Sequence, residues 1–376
     1  MELSNLLLPT IPVPMIVALL AGGFFLHRIW GNSFFTSNFL QTNSKLATEG
    51  IKFHTQDTEK EEAPAQVVSK ESDFPANWWT GKEIFDLERR ALFSKSWLYV
   101  SHRSRFTKPG DYHSMELAGF PIFLILSRDQ QVRAFHNVCR HRAYTVTKRE
   151  SGSTSVLSCK YHGWSYNTYG QLVKAPQFDN VAGFNKSENG LFEVHTRVSE
   201  SGFVFVNLNA GPNVPQIETG SLDAFASRNG VGAASAWVGG ETLEGNFSWK
   251  LGLRLNQYLN ATKLENRISQ PLTTKLGRFL KNGKSEDVSF FPNASFHAIR
   301  DTELVYSLSV VPVSEEKTSI RYDLVSSQGE NNSNAGDVSA NLKNFLNEAI
   351  GVLEREYQGR VSGSGYVSST STMSPS

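Results

Sequence analysis

The sequence predicts an α+β chain: an N-terminal apolar helix, a small β-rich domain, and a domain in which a helix packs on an antiparallel sheet. Three observations carry that expectation. Short β-branched and aromatic runs alternate with turn residues from about 97 to 210, as in Pro121–Leu126, the turn Arg128–Gln130 and Gly202–Leu208. Two alternating runs, Tyr306–Val313 and Ser319–Val325, precede a helix-like stretch from Val338 to Gln358. Ahead of everything lies a run without a charged side chain, Leu3 to Leu26.

That first run has 24 residues, enough at about 1.5 Å per residue to cross a hydrocarbon layer of ~30 Å. Pro9, Pro12 and Pro14 interrupt its first half, so Met15–Leu26 is its solid part. No basic region precedes it, which argues against a cleaved signal peptide. Glu2 lies before it and Arg28 and Lys45 after it, so the positive-inside rule places the body in the cytoplasm. Residues 1–30 therefore read as a single-pass transmembrane anchor in a membrane, and the polar stretch 31–73 as a linker. Thr80-Gly-Lys-Glu83 reads as a capping box opening a helix whose apolar face is Ile84, Leu87, Ala91 and Leu92. The β-rich domain spans 74–215, the helix-on-sheet domain 216–360 and a Ser/Gly/Thr-rich disordered tail 361–376. The net charge of +1 leaves no basic field to attract nucleic acid. Asn246-Phe-Ser and Asn293-Ala-Ser match the glycosylation triplet, a pattern common by chance.

Cys139-Arg-His141 and Cys159-Lys-Tyr-His162 stand seventeen residues apart and contain both cysteines of the chain. This is the ligand set of a Rieske [2Fe–2S] cluster, two thiolates on one iron and two neutral imidazoles on the other. Such a cluster is less negative than an all-thiolate one, so its potential is higher and it suits one-electron delivery. The flanks agree better with this than with zinc or coincidence: Phe135-His-Asn-Val precedes the first pair, and Gly163-Trp164 follows the second. Gly163 lets backbone amides approach and Trp164 offers an aromatic lid. With both cysteines in the motif no disulfide forms, and nothing argues for an oxidising compartment.

The sequence resembles the large (alpha) subunit of Rieske non-haem iron oxygenases, and most of all the choline monooxygenase branch of the aromatic-ring-hydroxylating dioxygenase family. The resemblance rests on Trp79–Arg90 with Trp97, Pro109–Tyr112, Val132–Arg142 and Tyr161–Trp164, then on Trp249-Lys250, Phe291–Asn293 and Ser319–Asp323. It covers roughly 74–360, densely before 210 and thinly after. Ala143 stands where the family usually has glycine, tolerable if φ there is negative.

What the resemblance implies is a Rieske-type oxidoreductase. It would take electrons from a reductase and hydroxylate, demethylate or desaturate a small organic substrate, a lipophilic one if the anchor is real. A trimer or hetero-oligomer is implied as well. The family also holds a mononuclear Fe(II) on two histidines and a carboxylate. Here Asn260 stands at the first histidine position, Leu264 or Glu265 at the second, Gln257 at the connecting acid and Ala349, beside Glu348, at the carboxylate. The mononuclear ligands thus look absent, no catalytic residue can be named, and that iron is doubtful. Either residues 250–290 reflect a gene-model error, or the chain has diverged into a cluster-only electron-transfer or partner subunit without its own O₂-activating iron.

Overall fold

The computed structural model describes residue 75 and residues 77–178, 181–255, 287–299, 302–327, 329, 332 and 335–362. Helix α1, Lys82–Glu88, runs into a π-helical turn, Arg89–Phe93. Ten strands follow: β1 Leu98–His102, β2 Asp111–Leu117, β3 Phe120–Leu126, β4 Val132–His136, β5 Ser151–Ser153, β6 Val156–Ser158, β7 Ser165–Asn167, β8 Leu172–Lys174, β9 Glu193–Val198 and β10 Phe203–Asn207. Then come α2 Gly220–Arg228, β11 Ala236–Gly245, α3 Trp249–Gly252, β12 Asp287–Phe290, β13 Ala294–Ile299, β14 Leu304–Pro312, β15 Thr318–Ser326 and α4 Ala335–Val361.

These strands make three antiparallel sheets, in the orders β1-β10-β9-β4-β3-β2-β5, β6-β7-β8 and β11-β15-β14-β13-β12. Ile122–Leu126 of β3 and all of β14 are buried; the first is a continuous apolar run, and the second buries Ser307 and Ser309 among its apolar residues. Between the large sheets lies an aromatic layer of Trp97, Tyr99, Phe203, Phe205, Phe225 and Phe296. Each such side chain removed from water contributes about 1.5–3 kcal/mol. On the other face of the five-stranded sheet, α4 lays Val338, Leu342, Phe345, Leu346, Ala349 and Leu353 over Tyr306, Leu308 and Tyr322. A buried ion pair ties α1 to α3: the Glu88 carboxylate accepts from Trp249 Nε1 (2.8 Å) and Lys250 Nζ (2.9 Å).

The helix and strands anticipated after residue 300 are present, as are the runs at 121–126 and 202–208. Several expectations need correction. The single-pass membrane anchor, with its membrane partner and cytoplasmic placement, is not supported: among the described residues no helix is long and apolar enough to cross a membrane. Residues 1–30 lie outside the described residues, and their sequence supplies the physical reason. The three prolines leave only Met15–Leu26 unbroken, roughly 18 Å of helix against a layer of ~30 Å.

At α1 the N-cap is Gly81 and no side chain caps it. Glu83 instead accepts a hydrogen bond from the Asn77 side chain, so the capping box does not form. The buried side chains are Phe85 and Glu88 in the helix and Leu92 and Phe93 in the π turn, while Leu87 is exposed, so of the expected apolar face only Leu92 is fully buried. Asn293 is buried and its side chain binds the backbone of Tyr99, so it cannot carry a glycan.

Candidate metal centre

Two loops approach each other beside the β6-β7-β8 sheet. The first follows β4 and carries Cys139 and His141; the second is the β6–β7 hairpin and carries Cys159 and His162. Their backbones are built alike. In the first, Cys139 N donates to Tyr144 O (2.8 Å) and Ala143 N to Cys139 O (3.0 Å). In the second, Cys159 N donates to Trp164 O (2.8 Å) and Gly163 N to Cys159 O (2.9 Å). Each loop therefore closes with a left-handed residue at its fifth position, Gly163 at φ +74° and Ala143 at φ +55°. Ala143 does not meet the condition of a negative φ: the loop takes the left-handed form there, and alanine in it costs on the order of 1 kcal/mol.

Asn137 pins the ends of the first loop. Its Oδ1 accepts from the Val146 (3.1 Å) and Thr147 (2.9 Å) amides, and its Nδ2 donates to Thr147 O (3.0 Å) and Ser114 Oγ (3.0 Å). In the sequence Asn137 carries no signal beyond being a polar side chain two residues before Cys139.

Both cysteines are buried. Burial raises the Cys139 thiol, with the Cys159 thiol adding in the same direction. Tyr166 Oη lies 3.3 Å from Cys139 Sγ and accepts the Arg140 amide (3.1 Å). Burial, then the Cys139 contact, pushes the Tyr166 phenol well above its usual range. The His141 and His162 rings meet edge to face at 4.6 Å. Burial, with His162 and Arg142 nearby, holds His141 below the ordinary imidazole value, in the neutral form that binds metal. Trp164 stacks on His141 at 5.1 Å and 11°, and Phe178 packs edge-on against both rings, so the expected lid is present.

Five buried side-chain polar atoms lack a hydrogen-bond partner among the described residues, and three belong to this spot: Arg140 Nε, His141 Nδ1 and Trp164 Nε1. Leaving such atoms unmet costs about 1–3 kcal/mol each, so their clustering around two buried thiols fits a group that ligates His141 and accepts hydrogen bonds. Among the described residues no three His, Cys, Asp or Glu side chains converge on one point. A two-iron cluster does not require that, since each iron takes only two protein ligands.

His102, His113 and His195 bond within the fold. His102 donates Nε2–H to Ser201 O (2.9 Å) and is pushed down to about 4 by burial. His113 sits between Arg105 and Arg321, and burial plus these cations drive it far below its usual value. His195 donates to Gly211 O. The Arg140 guanidinium lies 3.8 Å from the centre of the Phe192 ring. No mononuclear iron site fits the described side chains: Ala349 is buried in apolar surroundings, Glu348 points outward, and His297 engages Asp287 and Ser295 with its two ring nitrogens. Gln257, Asn260, Leu264 and Glu265 lie outside the described residues.

Known proteins match in the same places. Residues 96–185 match the model of the Rieske [2Fe-2S] domain. The carnitine monooxygenase oxygenase subunit of Escherichia coli (strain K12) is 37% identical over 145 residues, 38% of either chain. Benzene 1,2-dioxygenase subunit alpha of Pseudomonas putida is 31% identical over 130 residues, 34% of this chain and 29% of that one. The chain therefore matches well under two thirds of these relatives' lengths. Among solved structures, the apo quaternary ammonium Rieske monooxygenase CntA aligns with a TM-score of 0.62 and 24% identity, covering 78% of this chain and 86% of that one. Naphthalene 1,2-dioxygenase aligns at 0.58 and 17%, covering 76% and 81%. The chain has a Rieske [2Fe–2S] domain within the fold of a Rieske non-haem iron oxygenase alpha subunit.

Proposed function

We propose that the chain is a Rieske-type oxidoreductase that receives electrons singly from a reductase and serves the oxidation of a small organic substrate. The observation that carries this reading is the pair of like-built loops that bring two buried thiols and two imidazoles together. Cys139 and Cys159 would hold one iron of the cluster, and His141 and His162 the other. When bound, the cluster supplies one-electron transfer at a potential raised by its neutral ligands. The chain's own residues do the rest. Asn137 fixes the first loop, the left-handed turns at Ala143 and Gly163 close both, and Trp164 with Phe178 shields the imidazoles from water. The carnitine and benzene oxygenases named above act on small organic molecules, which supports that substrate class here.

A second reading is favoured by the apolar burial of Ala349 at the family's carboxylate position: an electron-transfer or hetero-oligomer subunit without its own O₂-activating iron. Iron and acid-labile sulfide per chain, measured on anaerobically purified protein resupplied with Fe(II), separate the two. About three irons to two sulfides supports an oxygenase with its own second iron, whereas about two to two supports the partner subunit. Neither metal nor sulfide sinks both.

A further inference from the structure

We propose that Ser295, His297 and Asp287 form a nucleophilic triad that transfers the acyl group of small uncharged esters to water, an activity separate from that of the cluster.

The register of the five-stranded sheet brings the three side chains together. On β13, Ser295 and His297 are two residues apart and share one face, while Phe296 between them joins the aromatic layer on the other. Ile299, two residues further along the Ser295 face, packs in the core beneath α4. On β12, Asp287 lies opposite His297 and Ser289 opposite Ser295. The His297 ring lies flat against Tyr306, its cross-strand partner on β14, at 4.7 Å and 14°. Its Nδ1 is 3.0 Å from Asp287 Oδ1, and its Nε2 is 2.9 Å from Ser295 Oγ.

These contacts fix the roles. A carboxylate only accepts, so Nδ1 carries the proton and donates it to Asp287. In the neutral ring Nε2 then holds a lone pair, and the hydrogen between it and Ser295 Oγ is the hydroxyl's. A hydroxyl bonded to a base that a third group orients is the arrangement of serine acyl transfer, known by geometry and not by chain order. The step balances. Ser295 Oγ bonds to the ester carbonyl carbon as its proton passes to His297 Nε2. The bond from that carbon to the alcohol oxygen breaks, and the proton leaves with the alcohol. Water, giving its proton to the same nitrogen, then releases the acid and restores Ser295. Asp287 holds the tautomer throughout and faces the imidazolium formed between the two transfers.

The surroundings set the substrate class. Among the described residues β12 is the last strand of its sheet, and Ser289 on it is exposed. An ester therefore reaches the buried Ser295 past this edge. Leu308, opposite Ser295 on β14, makes the inner wall apolar, which suits a short uncharged acyl chain. The Ser289 hydroxyl shares the face of Ser295, with Cβ atoms about 4.5–5.5 Å apart in such a pair, and supplies a donor to the oxyanion.

The test is treatment of the full chain with a fluorophosphonate, which a reactive serine displaces of fluoride, followed by peptide mass spectrometry. Hydrolysis of p-nitrophenyl acetate and butyrate is followed beside Ser295→Ala and Asp287→Asn, with circular dichroism and iron content measured for each. The expected result is one adduct per chain, at Ser295, and release of p-nitrophenol. Ser295→Ala loses the adduct and falls to the uncatalysed rate, and Asp287→Asn slows both reactions by on the order of 10²–10⁴-fold. A wild-type chain that carries no adduct at Ser295 overturns the proposal without recourse to any variant. Hydrolysis undiminished in Ser295→Ala, or labelling undiminished in Asp287→Asn, overturns it as well. Iron content, unchanged in every case, keeps this outcome distinct from that of the cluster.

Discussion

At the scale of single residues, the site divides into side chains proposed to hold metal and side chains that hold the loops. Replacing Cys159 by serine removes one of only two thiols, so iron and sulfide should drop to background while far-ultraviolet circular dichroism keeps its shape. Retention of a full cluster in that variant would mean the ligands lie elsewhere. Ala143→Gly should act in the opposite sense. It removes a Cβ from a left-handed turn, and relief of on the order of 1 kcal/mol, less the entropy glycine adds to the unfolded chain, should raise the urea midpoint slightly. The four proposed ligands could be picked out from spacing, because they come from two short local loops. Asn137 and Tyr166 could not. Asn137 works through Val146, Thr147 and Ser114, and Tyr166 through Cys139, and only the folded chain brings those partners together.

At the scale of elements, the junction of α1 with α3 is the most exposed to test. Glu88 is buried with Lys250 and Trp249 as its partners. Glu88→Ala strands a buried ammonium, a loss of roughly 3–5 kcal/mol, readable as a lower denaturation midpoint of the whole chain. The strands at 121–126 and 203–207 were visible as apolar runs bounded by turn residues, and those at 304–312 and 318–326 as alternating runs. The first helix was visible too, yet its face was not: Glu88 is buried as the partner of Trp249 and Lys250, a distant pairing that apolar periodicity does not register. The Gly/Ser/Ala-rich segment after 220 held a helix and the ten-residue strand β11. There β11 is set by pairing along β15 rather than by propensity, which is why composition alone concealed it.

At the scale of the whole molecule, buried neutral histidines tie stability to pH. His102 falls from its unfolded value of 6.5 to about 4 on folding. The unfolded chain therefore binds more protons between those values, and stability present above pH 6.5 is lost as pH falls toward 4, by on the order of 3 kcal/mol. His113 acts in the same direction. Thermal unfolding at a series of pH values should show the decline, and His102→Gln should flatten part of it; a flat profile in the wild-type chain would refute the assignment of neutral buried histidines.

The central claim is that Cys139, His141, Cys159 and His162 share one two-iron cluster. Electron–nuclear double resonance of the reduced full-length protein, grown with ¹⁵N-histidine, tests it most directly. Two histidine nitrogens coupled to a cluster of about two irons and two sulfides per chain is the predicted result. Iron without histidine coupling, or zinc in place of iron, would contradict it.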